Sequence, residues 1–130
     1  MGEKITMNHL RKRADFLRAQ KGVRRSAGCL TLECCATPQG VGGGGIRVGF
    51  TASRKVGNAV ARNRAKRRLR AAAAALLPLL AKEGNDYVLV ARRDTVARPY
   101  PALLKDLEAA LCAAHDRLAP LSEQQAKGSS

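Results

Sequence analysis

Two stretches of the chain alternate apolar with polar residues, the period of a strand that turns one face to a core. Over 46–53, Ile46, Val48, Phe50 and Ala52 alternate with Arg47, Gly49, Thr51 and Ser53. Over 28–35, Leu30, Leu32 and Cys34 share a face. A third stretch, Asp86 to Ala91, is apolar on both faces through Tyr87, Val88, Leu89 and Val90, which predicts a central strand. Elsewhere the period is helical. From Asn58 or Ala59 to Leu77, Ala65, Leu69, Ala72 and Leu76 fall on one side and Arg64, Arg67 and Arg70 on the other, with Pro78 ending or kinking the helix. Leu103, Leu107, Ala110, Ala114 and Leu118 form the stripe of a last helix. A short helix runs from about Arg13 to Lys21, with Asp15 as cap or first-turn acid and Gly22 as its stop. Segments 36–45, rich in glycine, and 92–101 read as loops. The pattern predicts one α/β domain over 9–118, a flexible N-terminus over 1–8 and a disordered polar tail over 119–130.

Charge changes this picture most. The chain of 130 residues carries 24 Lys and Arg against 10 Asp and Glu, a formal net charge of +14. Residues 1–33 hold 8 basic and 3 acidic side chains, 34–82 hold 10 and none, and 83–130 hold 6 and 7, so the excess lies in the first two thirds. A basic domain of this kind attracts polyanions, nucleic acid first and anionic membrane second. A membrane span is excluded by length: the longest apolar run is the 11 residues Ala71–Ala81, against about 20 for a spanning helix. Where a signal peptide would place its apolar stretch the chain reads Leu10-Arg11-Lys12-Arg13, which predicts a cytoplasmic protein. The four cysteines (Cys29, Cys34, Cys35, Cys112) form no CxxC pair, and His9 and His115 are far from them. They read as small buried hydrophobes, not as zinc ligands.

Residues 54–70, RKVGNAVARNRAKRRLR, hold eight cations among 17 positions and no acid. Like charges at helical neighbours repel by a few tenths of a kcal/mol per pair, which a polyanion would relieve. Arginine predominates, and its planar fork grips phosphate through two bonds. Asn58 suits the helix cap. The helix start it would cap is an anion site, with Arg54 and Lys55 just before it. Asn63 could donate to phosphate or ribose, or face water. A solvated basic face, a calmodulin-like target or a membrane-surface helix are the alternatives. The last two want bulkier apolar residues than alanine opposite the charge.

The run IRVGFTASRKVGNAVARNRAKRRLR over 46–70 resembles the signature of the bacterial ribonuclease P protein family, with Arg62-Asn63-Arg64 at the family's RNR motif. Arg13-Ala14-Asp15-Phe16 followed by Gly22 and Arg24, and Asp86 to Arg92, are similar to further family segments, so the likeness spans about 9–118. The resemblance implies an α-β-β-β-α-β-α sandwich with a left-handed β-α-β crossover and a first strand near 24–30. It implies a protein subunit that binds a catalytic RNA and the 5′ leader of precursor tRNA and assists endonucleolytic leader removal. Magnesium would sit on the RNA, and no dedicated protein partner is expected. Carried over residue by residue, Arg54, Lys55, Arg62, Asn63, Arg64, Lys66, Arg67, Arg68 and Arg70 would contact the catalytic RNA. Phe16, Arg47, Thr51 and Ser53 would line a cleft for the leader, although Phe16 could also be core. The family often has a second aromatic one helical turn after Phe16; this chain has Gln20. With two Phe, two Tyr and no Trp, leader binding would lean on charge and shape more than on stacking, which is worth about 1–3 kcal/mol per base. A ribosomal RNA-binding protein and a stand-alone metal-dependent nuclease are the rival readings. The missing acids of 34–82 weigh against the second.

Overall fold

In a computed structural model the described residues are 6–38 and 45–128, with side chains described as far as Arg117. The run Gly42–Gly44 expected to be a loop lies outside them. Five strands form one mixed sheet: β1 (Met7–His9), β2 (Val23–Ala27), β3 (Leu30–Ala36), β4 (Ile46–Ala52) and β5 (Asn85–Ala91), in the order β1-β4-β5-β3-β2. β4 runs parallel to β1 and to β5, while β3 runs antiparallel to β5 and to β2. The helices are α1 (Arg13–Gln20), α2 (Ala59–Leu80) and α3 (Tyr100–Gly128).

Strand β1 corrects the reading of a flexible N-terminus at its residues 7 and 8. Met7 and Asn8 pair with Ile46 and Arg47, and three residues are too few for alternation to show. β2 is the first strand that the family resemblance required. Its neighbour β3 keeps Leu30, Leu32 and Cys34 fully buried on one face. Gly28, at a φ of +52°, opens the two-residue turn between them, a conformation that glycine alone adopts without strain. Helix α3 continues past residue 118, where the sequence pattern ends the domain, through Gly128.

The core has two parts, one on each side of the sheet. Leu30, Leu32, Ile46, Val48, Tyr87 and Leu89 meet Ala65, Leu69, Ala73 and Leu77 of α2 and Leu103, Leu107 and Leu111 of α3. On the other side Leu10, Ala19 and Val88 form a small cluster with Phe16, Cys35 and Val90. Two helices therefore cover one face, and α1, eight residues long, covers only part of the other. β5 is buried on both faces, as its unbroken apolar run predicts. The basic stretch begins as a single 3-10 turn, Arg54–Val56, instead of a loop, with the Ser53 hydroxyl accepting from the Lys55 N–H at 3.3 Å. Asn58 caps α2 as expected, its Oδ1 accepting from the Ala61 N–H at 2.9 Å. Pro78 does not end α2: the helix runs two residues further, and the Ala81 N–H still reaches the Leu77 carbonyl.

Candidate nucleic-acid interface

Strand register builds the half-covered face of the sheet in rows. Ser26, Thr31, Val90 and Thr51 stand side by side across β2, β3, β5 and β4; Arg24, Glu33, Val88 and Gly49 form the next row; Cys35, Asp86 and Arg47 form a third. Helix α1 lies over the second and third rows. Its seat depends on Gly49, where a Cβ would come within 2.5 Å of the Phe16 ring. Glycine leaves room for that ring to lie against the strand.

Beside α1 the sheet is open. One cavity of about 390 Å³ is lined by Arg13, Phe16, Leu17, Gln20, Glu33 and Thr51, among others. A second, of about 630 Å³, runs on from it towards the 3-10 turns Arg54–Val56 and Arg93–Thr95, past Thr31, Lys55, Arg92 and Arg93. Arg24, Ser53 and Val90 line both, so the two make one groove. Its floor is apolar or hydroxylic apart from the buried Glu33, and its rim is cationic. The described acids lining it are Glu33 and Asp94.

The structure places Phe16, Thr51 and Ser53 on this groove, and Phe16 also packs against the small core cluster. It places Arg47 elsewhere. Its guanidinium lies between two carboxylates, donating to Asp86 from Nη2 at 2.6 Å and from Nε at 2.8 Å, and reaching Asp15 at 3.3 Å. Arg18 joins from α1, 2.7 Å from Asp15 and 3.1 Å from Asp86, and the Thr37 hydroxyl donates to Asp86 at 2.7 Å. Outward alternation on β4 put Arg47 on the correct face, but at the end beneath α1, where it is a clamp and not a free cation. The Arg18 hydrogen bond leads in holding the Asp15 carboxyl below its ordinary range. Burial pushes Asp86 up, and its bonds from Arg47, Thr37 and Arg18 outweigh this and hold it low.

Along 54–70 the cations stand outward. Arg54, Lys55, Asn63, Arg64, Arg67 and Arg70 are exposed, and Arg62 and Lys66 are half-buried. Among the described residues none of the eight cations is ion-paired with a carboxylate; the bridges that form use Arg18, Arg24, Arg47 and Arg98. Arg70 lies over the Phe50 ring at 5.7 Å, which orients it without neutralising it. Arg68 is the exception: half-buried, it turns inward and donates to the Arg98 carbonyl before α3, so it holds α2 to the chain segment beyond β5. Sequence reasoning passed over Arg13, Arg92 and Arg93 as groove residues and took Arg24 only as a motif match. β2 shows no apolar alternation, and residues 92–101 read only as a loop. The signal was in the family segments, which contain Arg13, Arg24 and Arg92.

No group of three or more His, Cys, Asp and Glu side chains that could hold a metal ion occurs among the described residues. Asp15, Asp86 and Asp106 are each engaged by arginine. No helix among the described residues is long and apolar enough to cross a membrane. A five-stranded sheet with a cationic open groove on one face and an unneutralised arginine helix defines a small nucleic-acid-binding α/β domain.

Comparison with known proteins gives the family. The sequence pattern of the Ribonuclease P family matches residues 6–115. The chain is 53% identical over 107 residues to the ribonuclease P protein component of Ruegeria pomeroyi, covering 82% of this chain and 85% of that one. It is 48% identical to that of Paramagnetospirillum magneticum, covering 81% and 80%. The solved ribonuclease P protein of Staphylococcus aureus superposes with a TM-score of 0.67 at 26% identity, over 82% of this chain and 94% of that one. The chain belongs to the ribonuclease P protein family. Its role is that of the protein subunit of a ribonucleoprotein endoribonuclease in tRNA 5′ processing, with catalysis on the RNA.

Proposed function

We propose that the chain binds the catalytic RNA through α2 and its lead-in turn, and the 5′ leader of precursor tRNA through the groove beside α1. The observation that carries this reading is that the cations of 54–70 stand without carboxylate partners among the described residues, whereas the internal bridges draw their arginines from elsewhere. Arg54, Lys55, Arg62, Asn63, Arg64, Lys66, Arg67 and Arg70 meet the catalytic RNA; Arg68 serves the fold. Phe16, Thr51 and Ser53, joined by Arg13, Arg24, Arg92 and Arg93, receive the leader, with phosphates at the cationic rim and bases towards the floor.

Cleavage of a phosphodiester needs a metal-activated water and charge stabilisation. Magnesium would be held by the RNA subunit. The protein holds the leader in register and lowers phosphate repulsion where RNA and substrate meet. The cytoplasm, where precursor tRNA is made, is the place of action. The test is reconstitution with a bacterial ribonuclease P RNA. Adding the chain should lower the magnesium concentration needed for leader removal, and the gain should vanish when the leader is cut to one nucleotide. Cleavage of precursor tRNA by the chain and magnesium alone would overturn the reading.

A further inference from the structure

Glu33 is out of place in a groove meant for a polyanion. It sits on β3 in the row Arg24, Glu33, Val88, Gly49, and its side chain is 6% exposed. It lines the cavity beside α1 together with Phe16, Gln20 and Val90. Its partner among the described residues is Arg24, whose Nη1 stands 3.4 Å from Oε2, too far for a good hydrogen bond, and Arg24 is itself 55% exposed. The carboxylate accepts no hydrogen bond among the described residues, and it lines the cavity. Burial pushes its pKa up and Arg24 opposes that.

A carboxylate repels phosphate, so what it can accept from a single strand is a donor: a ribose hydroxyl or the amino and imino groups of a base. Position decides between these. The cations Arg13 and Arg24 stand exposed at the rim, where the sugar–phosphate chain runs. The floor beside Glu33 offers the Phe16 ring and Val90, surfaces for the flat face of a base. A base that enters there presents its pairing edge to the carboxylate. Guanine carries two adjacent donors, N1–H and the N2 amine, that match the two oxygens; uracil carries one donor flanked by two acceptors.

The geometry points to Glu33 as a specificity residue that favours guanine over uracil at one leader position. This rests on the groove being the leader site, and the test separates the two. Holoenzyme reconstituted with a bacterial ribonuclease P RNA is given precursor tRNAs with each leader position varied in turn, and kcat/KM is compared. With the native chain, guanine should exceed uracil at one position by about tenfold, the discrimination expected of one bidentate contact. In Glu33→Gln the ratio at that position should fall to about twofold or less. Replacing that guanine by inosine, which lacks the N2 amine, should lower kcat/KM in the native enzyme but not in Glu33→Gln, a comparison that needs no assumption about the variant's stability. If base preferences are the same in both proteins while the leader still promotes binding, Glu33 does not read bases and the groove assignment stands. A uniform gain in affinity for all leaders in Glu33→Gln would likewise reject the proposal, as relief of repulsion only. If binding ignores the leader altogether, both readings fall.

Discussion

Arg47 and Asp86 are direct cross-strand neighbours on β4 and β5, joined by two hydrogen bonds of 2.6 and 2.8 Å with the Asp86 side chain fully buried. The pair fixes the parallel register of the two strands and, through Asp15 and Arg18, ties α1 to the sheet. It turns a residue of the expected leader cleft into part of the frame that holds the cleft open. Removing Arg47 would leave Asp86 with Arg18 and the Thr37 hydroxyl, so the cost falls short of the about 3–5 kcal/mol of a fully stranded buried charge. Arg47→Ala should therefore lower the unfolding free energy from urea titration by about 2–3 kcal/mol, whereas Arg47→Met with Asp86→Leu should lose much less. Because both carboxyls titrate below their ordinary 3.8, the network's contribution is complete above that value and is lost as pH falls through the depressed range.

The cations of α2 should behave in the opposite way. Arg64→Ala and Arg67→Ala should leave the unfolding free energy unchanged within about 0.5 kcal/mol, since both are exposed surface positions. Each should weaken binding to the catalytic RNA. With about 6–8 phosphates neutralised, log affinity should fall against log salt with a slope near −4 to −6, and each substitution should flatten it by about 0.7. Binding titrations across a potassium chloride series measure both. Arg68→Ala should instead destabilise the fold, because its bond to the Arg98 carbonyl is internal.

Gly49→Ala tests the seat of α1. The added methyl would meet the Phe16 ring at 2.5 Å and Leu10 at 3.2 Å. Overpacking of this kind costs about 1–3 kcal/mol. We expect lower stability by urea titration and a larger loss of affinity for leader-bearing than for leaderless substrate.

His115 binds the far side of the sheet to α3, its Nε2 2.8 Å from the Tyr87 hydroxyl and its ring edge-on to the tyrosine. Burial, aided by Lys82 and opposed by Asp116, lowers its pKa from the ordinary 6.5. The folded chain thus holds this proton less tightly than the unfolded one. The stabilisation is complete above 6.5 and is lost as pH falls through the lowered value. The thermal midpoint should decline as pH falls below 6.5, and His115→Phe should flatten that decline.

Much of this was legible in the sequence. Alternation located β4 within a residue, because Ile46 and Val48 face a core while Arg47 and Thr51 face away from it. Asn58 announced the start of α2 by its capping chemistry. β2 was not legible from pattern, since as the outermost strand beside β3 it carries Arg24, Arg25 and Ser26 with little to bury. The fate of Arg47 was not legible either. A lone arginine on a strand looks the same whether it meets phosphate or aspartate, and its partners lie 32 and 39 residues away.

The strand at the middle of the sheet is the last one made. β5 pairs with β3 on one side and β4 on the other, yet it follows α2 in the chain. A ribosome that has finished residues 54–70 has produced the arginine helix before the sheet has its middle strand. At about 5–20 residues per second the interval lasts a second or more, and pairing across such separations is slow in its own right. During that time the cations of residues 54–70 stand on a chain whose sheet is unfinished, a dense positive charge that attracts the RNA around the ribosome.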